Sequence, residues 1–106
     1  MAEVKFEYRD NRLMIYISGE IDHHSAFKIK DSIDAQILKY SPSAAVMNFS
    51  GVSFMDSSGV AVVINAMRCM NKINGKLSVA GLTAQPMRVF RASGMDKLVE
   101  MKEVLI

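Results

Sequence analysis

Two hydrophobic periods, met in a fixed order along the chain, restrict its fold more than any other feature. Val4, Phe6 and Tyr8 alternate with Lys5, Glu7 and Arg9, the period of a half-buried strand. Leu13, Ile15 and Ile17 repeat that alternation after Asp10-Asn11, a pair suited to a tight turn because Asn tolerates positive φ. The two runs predict a β-hairpin whose second strand is apolar enough to lie inside a sheet. Beyond Gly19 the period changes. Ala26, Ile29, Ile33, Ile37 and Tyr40 fall on one helical stripe, with Lys28, Lys30, Asp31 and Asp34 off it. Asp22 or Ser25 suits the cap of that helix, and Ser41-Pro42 ends it.

From there strands and helices take turns. Ala44 to Phe49 reads as a short buried strand, and a loop carrying the stretch "SFMDSSG" follows it. Val60 to Met70 is long enough for a helix, although "VAVVI" is β-prone and periodicity alone does not decide. Asn74-Gly75 marks a turn and Leu77 to Ala80 a strand. Thr83 to Ala92 reads as a third helix, with Pro86 in its first turn and Gly94 just past its end. Val99 to Met101 supplies a last short strand. The order β-β-α-β-α-β-α-(β) implies an α/β fold with a mixed, largely parallel central sheet flanked by helices.

Composition adds exclusions. A chain of 106 residues without repeats or linkers is expected to form one domain, residues 1–106. The formal charge of +2 is scattered, with no Lys/Arg cluster of the kind that binds nucleic acid. Nine methionines read as flexible core fillers rather than an adaptable binding surface. The single cysteine, Cys69, has no internal disulfide partner, which agrees with a reducing compartment. The N-terminus is charged throughout and carries no signal-peptide core. No apolar run approaches the ~20 residues that span a bilayer. A cytoplasmic protein that binds no membrane is expected, with a monomer as the default.

The "SFMDSSG" stretch supports three readings. Asp56 precedes a helical run and suits an N-cap, with Ser57 and Ser58 in the first turn. A nucleophilic serine would need an oriented base, yet the only histidines are His23 and His24, and the G-x-S-x-G elbow is absent. The third reading is a modified serine. A phosphate on Ser57 would carry nearly two negative charges and sit at a helix N-terminus, which tolerates anions. With Asp56 and Asp22 nearby it would make the surface strongly anionic and repel a partner packed there.

A second stretch, "GEIDHHSA", invites a metal reading through Asp22, His23 and His24. Adjacent histidines at a helix start point apart, and a closed zinc site takes about four ligands. The triplet resembles the DHH phosphoesterases in three letters only, without their further Asp/His motifs. No metal, cofactor or catalytic residue is therefore expected.

Taken together, "GEIDHHSA" after a hairpin, "FSGVSFMDSSGV" and "GLTAQPMRVFRASGMDKLV" resemble the STAS family of anti-sigma-factor antagonists over essentially the whole chain. The His-His pair and "FMDSSG" are most similar to the sporulation type. The resemblance implies a non-enzymatic partner switch. The antagonist binds an anti-sigma factor that is also a serine kinase, releasing a sigma factor. The kinase, which binds the ATP, then phosphorylates the antagonist, and a serine phosphatase resets it. The family's phosphorylated residue carries over to Ser57, and its acidic docking residue to Asp22. Met55, Asp56, Ser58, Gly59 and Val60 are expected on the partner-binding rim, with His23 and His24 on the same face and Met87 and Arg88 as an extension. Gly59 would let the partner's backbone come close. A STAS module in another signalling assembly is the alternative. Sporulation-type members usually carry a longer C-terminal helix, whereas "MKEVLI" supplies about one turn.

Overall fold

The hairpin forms as the alternation predicts. In the computed structural model, which describes residues 1–102, β1 (Ala2–Arg9) and β2 (Arg12–Ile21) pair antiparallel. Asp10 and Asn11 join them with φ of 52° and 63°, both positive as a two-residue type I′ turn requires. Three parallel neighbours extend the sheet: β3 (Ala44–Met55), β4 (Lys76–Ala80) and β5 (Glu100–Lys102), in spatial order β1-β2-β3-β4-β5. The helices are α1 (His23–Tyr40), α2 (Ser57–Lys72) and α3 (Ala84–Ala92), followed by a 3-10 turn at Met95–Lys97. The ambiguous apolar run after the motif is thus a helix. The "MKEVLI" segment enters β5 at Met101 and Lys102; its remaining residues, 103–106, lie outside the described ones.

Burial follows the two periods. Leu13, Ile15 and Ile17 of β2 are buried, whereas the alternate residues Tyr16 and Ser18 are exposed and Met14 is half-buried. Helices α1 and α2 pack on the buried face. Ile29, Ile33 and Ile37 from α1 meet Val62, Val63, Ala66 and Met70 from α2 in one core with Met47, Phe49 and Phe90. The opposite face, with Glu3, Lys5, Tyr16, Ser18 and Ser50, stays open beside β2 and β3. Met47, Met55, Met70 and Met95 are all fully buried, so methionine serves here chiefly as core filler.

The helices also meet through a polar cluster around Asp34. Asn65 Nδ2 of α2 donates to Asp34 Oδ1 of α1 at 2.6 Å, Cys69 Sγ approaches the same oxygen at 3.4 Å, and Lys30 pairs with Asp34 Oδ2 at 3.2 Å. Burial, and then the bond to Asp34, push the Cys69 thiol up.

One expectation is corrected. No loop separates the third strand from the motif: β3 runs on to Met55. Ser50, Gly51 and Ser53 look like loop residues, but the strand runs through them: Gly51 pairs with Ser18, while Ser50 and Ser53 fall at the two register shifts between β2 and β3. Gly51 lies opposite Ser18, where a Cβ would stand 2.9 Å from the Ser18 Cβ. The glycine therefore admits a close approach between strands rather than a break.

Candidate functional site

β2 and β3 are parallel neighbours, and each feeds a helix at its carboxyl end. Ile21 and Met55 are register partners, and the Asp56 N–H donates to the Ile21 carbonyl at 3.2 Å. The next residue on each chain, Asp22 and Asp56, is the N-cap of its helix. Two helix N-termini therefore open side by side at one edge of the sheet, each headed by an aspartate.

Asp22 caps α1 through a reciprocal box. Its Oδ1 accepts from the Ser25 N–H at 2.8 Å, while its own N–H donates to Ser25 Oγ at 2.9 Å. Both residues considered as caps thus take part, Asp22 as the cap and Ser25 as its partner. The Ser25 N–H, and then its hydroxyl, hold the Asp22 carboxyl below its ordinary value of 3.8. A carboxyl lowered in the folded state stabilises the fold fully above its unfolded value, and that contribution is lost as pH falls through the folded value. The stability gap between wild type and Asp22→Ala should therefore be constant from neutral pH to about pH 5 and close below about pH 4, read from urea unfolding at each pH.

Asp56 caps α2 more simply, its Oδ1 accepting from the Ser58 N–H at 2.8 Å. Ser57 is the first helical residue and is exposed. Ser58 is half-buried. His23 and His24 occupy the first turn of α1, both exposed, with their rings edge-on at 6.0 Å. Among the described residues no three metal-ligating side chains cluster.

Three residues expected on the exposed rim are not there. Met55 is fully buried, Val60 is nearly so, and Gly59 is buried. A strand running to Met55 and a helix starting at Ser57 turn the Met55 and Val60 side chains inward onto the core and bring Gly59 against Met55. The role expected for Gly59 changes too. A Cβ there would stand 2.7 Å from Met55 Sδ, so the missing side chain makes room for Met55 and not for a partner's backbone.

The sequence reading missed Gln85. β4 pairs with β3 only as far as Asn48, leaving the distal half of β3 without a neighbour on that side. The start of α3 fills the gap. Gln85 accepts from the Met55 N–H and donates to the Met55 carbonyl, both at 2.9 Å, and Thr83 Oγ1 donates to the Val52 carbonyl at 2.7 Å. Gln85 stands in for a strand and fixes the backbone from which Asp56 and Ser57 project. Arg88 and Met87, farther along α3, are exposed and half-buried respectively.

Residues 3–105 match the STAS domain family. The chain belongs to the STAS family. Among relatives of this STAS protein, an anti-sigma F factor antagonist of Lysinibacillus sphaericus is 34% identical over 83 residues, which is 78% of this chain and 71% of the relative. An anti-sigma-B factor antagonist of Listeria monocytogenes is 28% identical over 102 residues, 95% of this chain and 89% of the relative. The structure of the anti-sigma factor antagonist SpoIIAA in its unphosphorylated form superimposes with a TM-score of 0.85 at 28% identity, covering 97% of this chain and 89% of SpoIIAA. The family and the α/β architecture expected from the motifs both stand. No helix among the described residues is long and apolar enough to cross a membrane.

Proposed function

We propose that this STAS protein is an anti-sigma factor antagonist switched by phosphorylation of Ser57. In its unphosphorylated form it binds a cytoplasmic anti-sigma factor that is also a serine kinase, and so frees a sigma factor. The kinase supplies bound ATP as phosphate donor, phosphorylates Ser57 and dissociates. A serine phosphatase restores the antagonist. The whole chain acts as one domain, and it performs no chemistry of its own.

The observation that carries this reading is the placement of Ser57. It is an exposed hydroxyl on the first residue of α2, flanked by the N-cap Asp56, with the Asp22 cap of α1 beginning beside it. Such a position accepts a phosphate without unfolding, because the helix N-terminus favours negative charge. It also gives the phosphate its effect, since two carboxylates already make that edge anionic. Asp22, His23, His24, Asp56 and Ser58 form the docking edge. Met55, Gly59 and Val60 support it from below. The names of the relatives agree with this role, and the SpoIIAA match is of an unphosphorylated form, so phosphorylation distinguishes states of that protein.

Intact-mass analysis tests the assignment. The protein is incubated with ATP, Mg²⁺ and the anti-sigma kinase encoded in the same genome, and any added phosphate is mapped. One phosphate on Ser57, absent from Ser57→Ala, is expected. Phosphate on Ser58 instead would move the switch by one residue. No phosphate from a kinase proven active on another antagonist would favour a STAS module serving another assembly.

A further inference from the structure

Between helices α1 and α2 the outer surface carries an open groove of about 470 Å³. Ser58 and His23 line one end, Phe27, Ala61 and Ile64 line its middle, and Arg68 lies at the other. Two features make this more than a gap between helices. Phe27 is 67% exposed, a large apolar ring presented to solvent along the groove. Arg68 makes no ion pair among the described residues, whereas the nearby Lys30 is already held by Asp34 at 3.2 Å and Asp31 at 3.8 Å. The groove therefore offers apolar area and one uncompensated cation.

We infer that this groove is a second docking surface for the anti-sigma factor, taking a segment of that partner that carries an apolar side chain and a carboxylate. The inference rests on the proposed function, and two observations select the occupant. The groove is continuous with the Ser57 edge, because Ser58 and His23 belong to both. Its free guanidinium calls for an acidic group, and Arg pairs with a carboxylate in a bidentate fork. The apolar side chain would cover Phe27 and Ile64, which water now wets. A contact of this kind lies away from the phosphate, so it would hold the partner in register without itself being switched.

Affinity for the anti-sigma factor, measured by calorimetry, tests it with four variants. Arg68→Glu should weaken the complex by about tenfold or more, and Phe27→Ala by roughly tenfold. Arg68→Lys, which keeps the charge but not the fork, should lose less affinity than Arg68→Glu without matching wild type, and Arg91→Glu, on the exposed side of α3, should change nothing. Both groove side chains are exposed, so unchanged melting temperatures are expected to accompany the losses. If Arg68→Glu and Phe27→Ala both bind within twofold of wild type while Ser57→Asp loses binding, the groove is not a docking surface and the Ser57 switch stands. If wild type forms no complex with the anti-sigma factor, both readings fall. With partner affinity unaffected by Arg68→Glu, self-association of the isolated protein that this variant abolishes would assign the groove to a second copy, and decanoate binding that it abolishes would assign the groove to a small amphipathic anion. Either result overturns the proposal.

Discussion

Ser57→Asp is expected to lower affinity for the anti-sigma factor by about a hundredfold, while Ser57→Ala keeps the wild-type affinity. The substitution adds one full charge to an edge already carrying Asp22 and Asp56. Placing like charges together across an interface costs several kcal/mol, and about 3 kcal/mol corresponds to a hundredfold. A phosphate carries nearly twice the charge and three acceptor oxygens, so Ser57→Asp sets a lower bound on the effect of modification. The same charge has the opposite sign of effect on folding. An acidic residue in the first turn interacts favourably with the helix dipole, worth about 0.3–1 kcal/mol. The first turn of α2 has no acidic residue of its own. The melting temperature of Ser57→Asp should thus be equal to or above that of wild type while binding is lost. Calorimetric binding curves and thermal melts on the same samples check both halves. Wild-type affinity in Ser57→Asp would sink the electrostatic account.

The parts of this molecule that read directly from sequence are those in which one local rule decides. Alternation gave β1 and β2, a 3.6-residue stripe gave α1, and Asp10-Asn11 fitted a turn needing positive φ twice. The Asp56 N-cap is legible for the same reason, since an aspartate ahead of two serines and a helical run is a local signal, whereas the choice of Ser57 as the switch rests on the family resemblance. The extent of β3 was not. Ser50, Gly51 and Ser53 have the composition of a loop, and distant partners, Ser18 of β2 opposite Gly51 and Thr83 and Gln85 at the start of α3, hold this stretch of β3 extended. That misreading carried into the site, where the rim was drawn through Met55, Gly59 and Val60. Gln85 was illegible for a deeper reason. Its role depends on β4 ending early and leaving Met55, thirty positions before Gln85 in the chain, without a strand neighbour, and no pattern around Gln85 registers that vacancy.

The burial of Met55 separates the two pictures of the site by experiment. Met55 has no exposed surface, it closes against Gly59, and both of its backbone groups are held by Gln85. Met55→Ala removes three buried heavy atoms from beneath the first turn of α2, with partial collapse as the only relief. Changes of this class cost about 2–5 kcal/mol, and for a chain near 100 residues each kcal/mol lowers the melting temperature by about 4–8 °C. A fall of roughly 10 °C or more is therefore expected for Met55→Ala, with an unchanged urea m-value. Affinity for the partner, measured well below the new melting temperature, should stay within about threefold of wild type, because the side chain touches the core and not the surface. A contact residue would behave the other way, losing affinity with little change in melting. The outcome decides whether the switch rests on a rim of apolar contacts at the motif, or on a polar edge held rigid from beneath by a methionine, a glycine and a glutamine that never meet the partner.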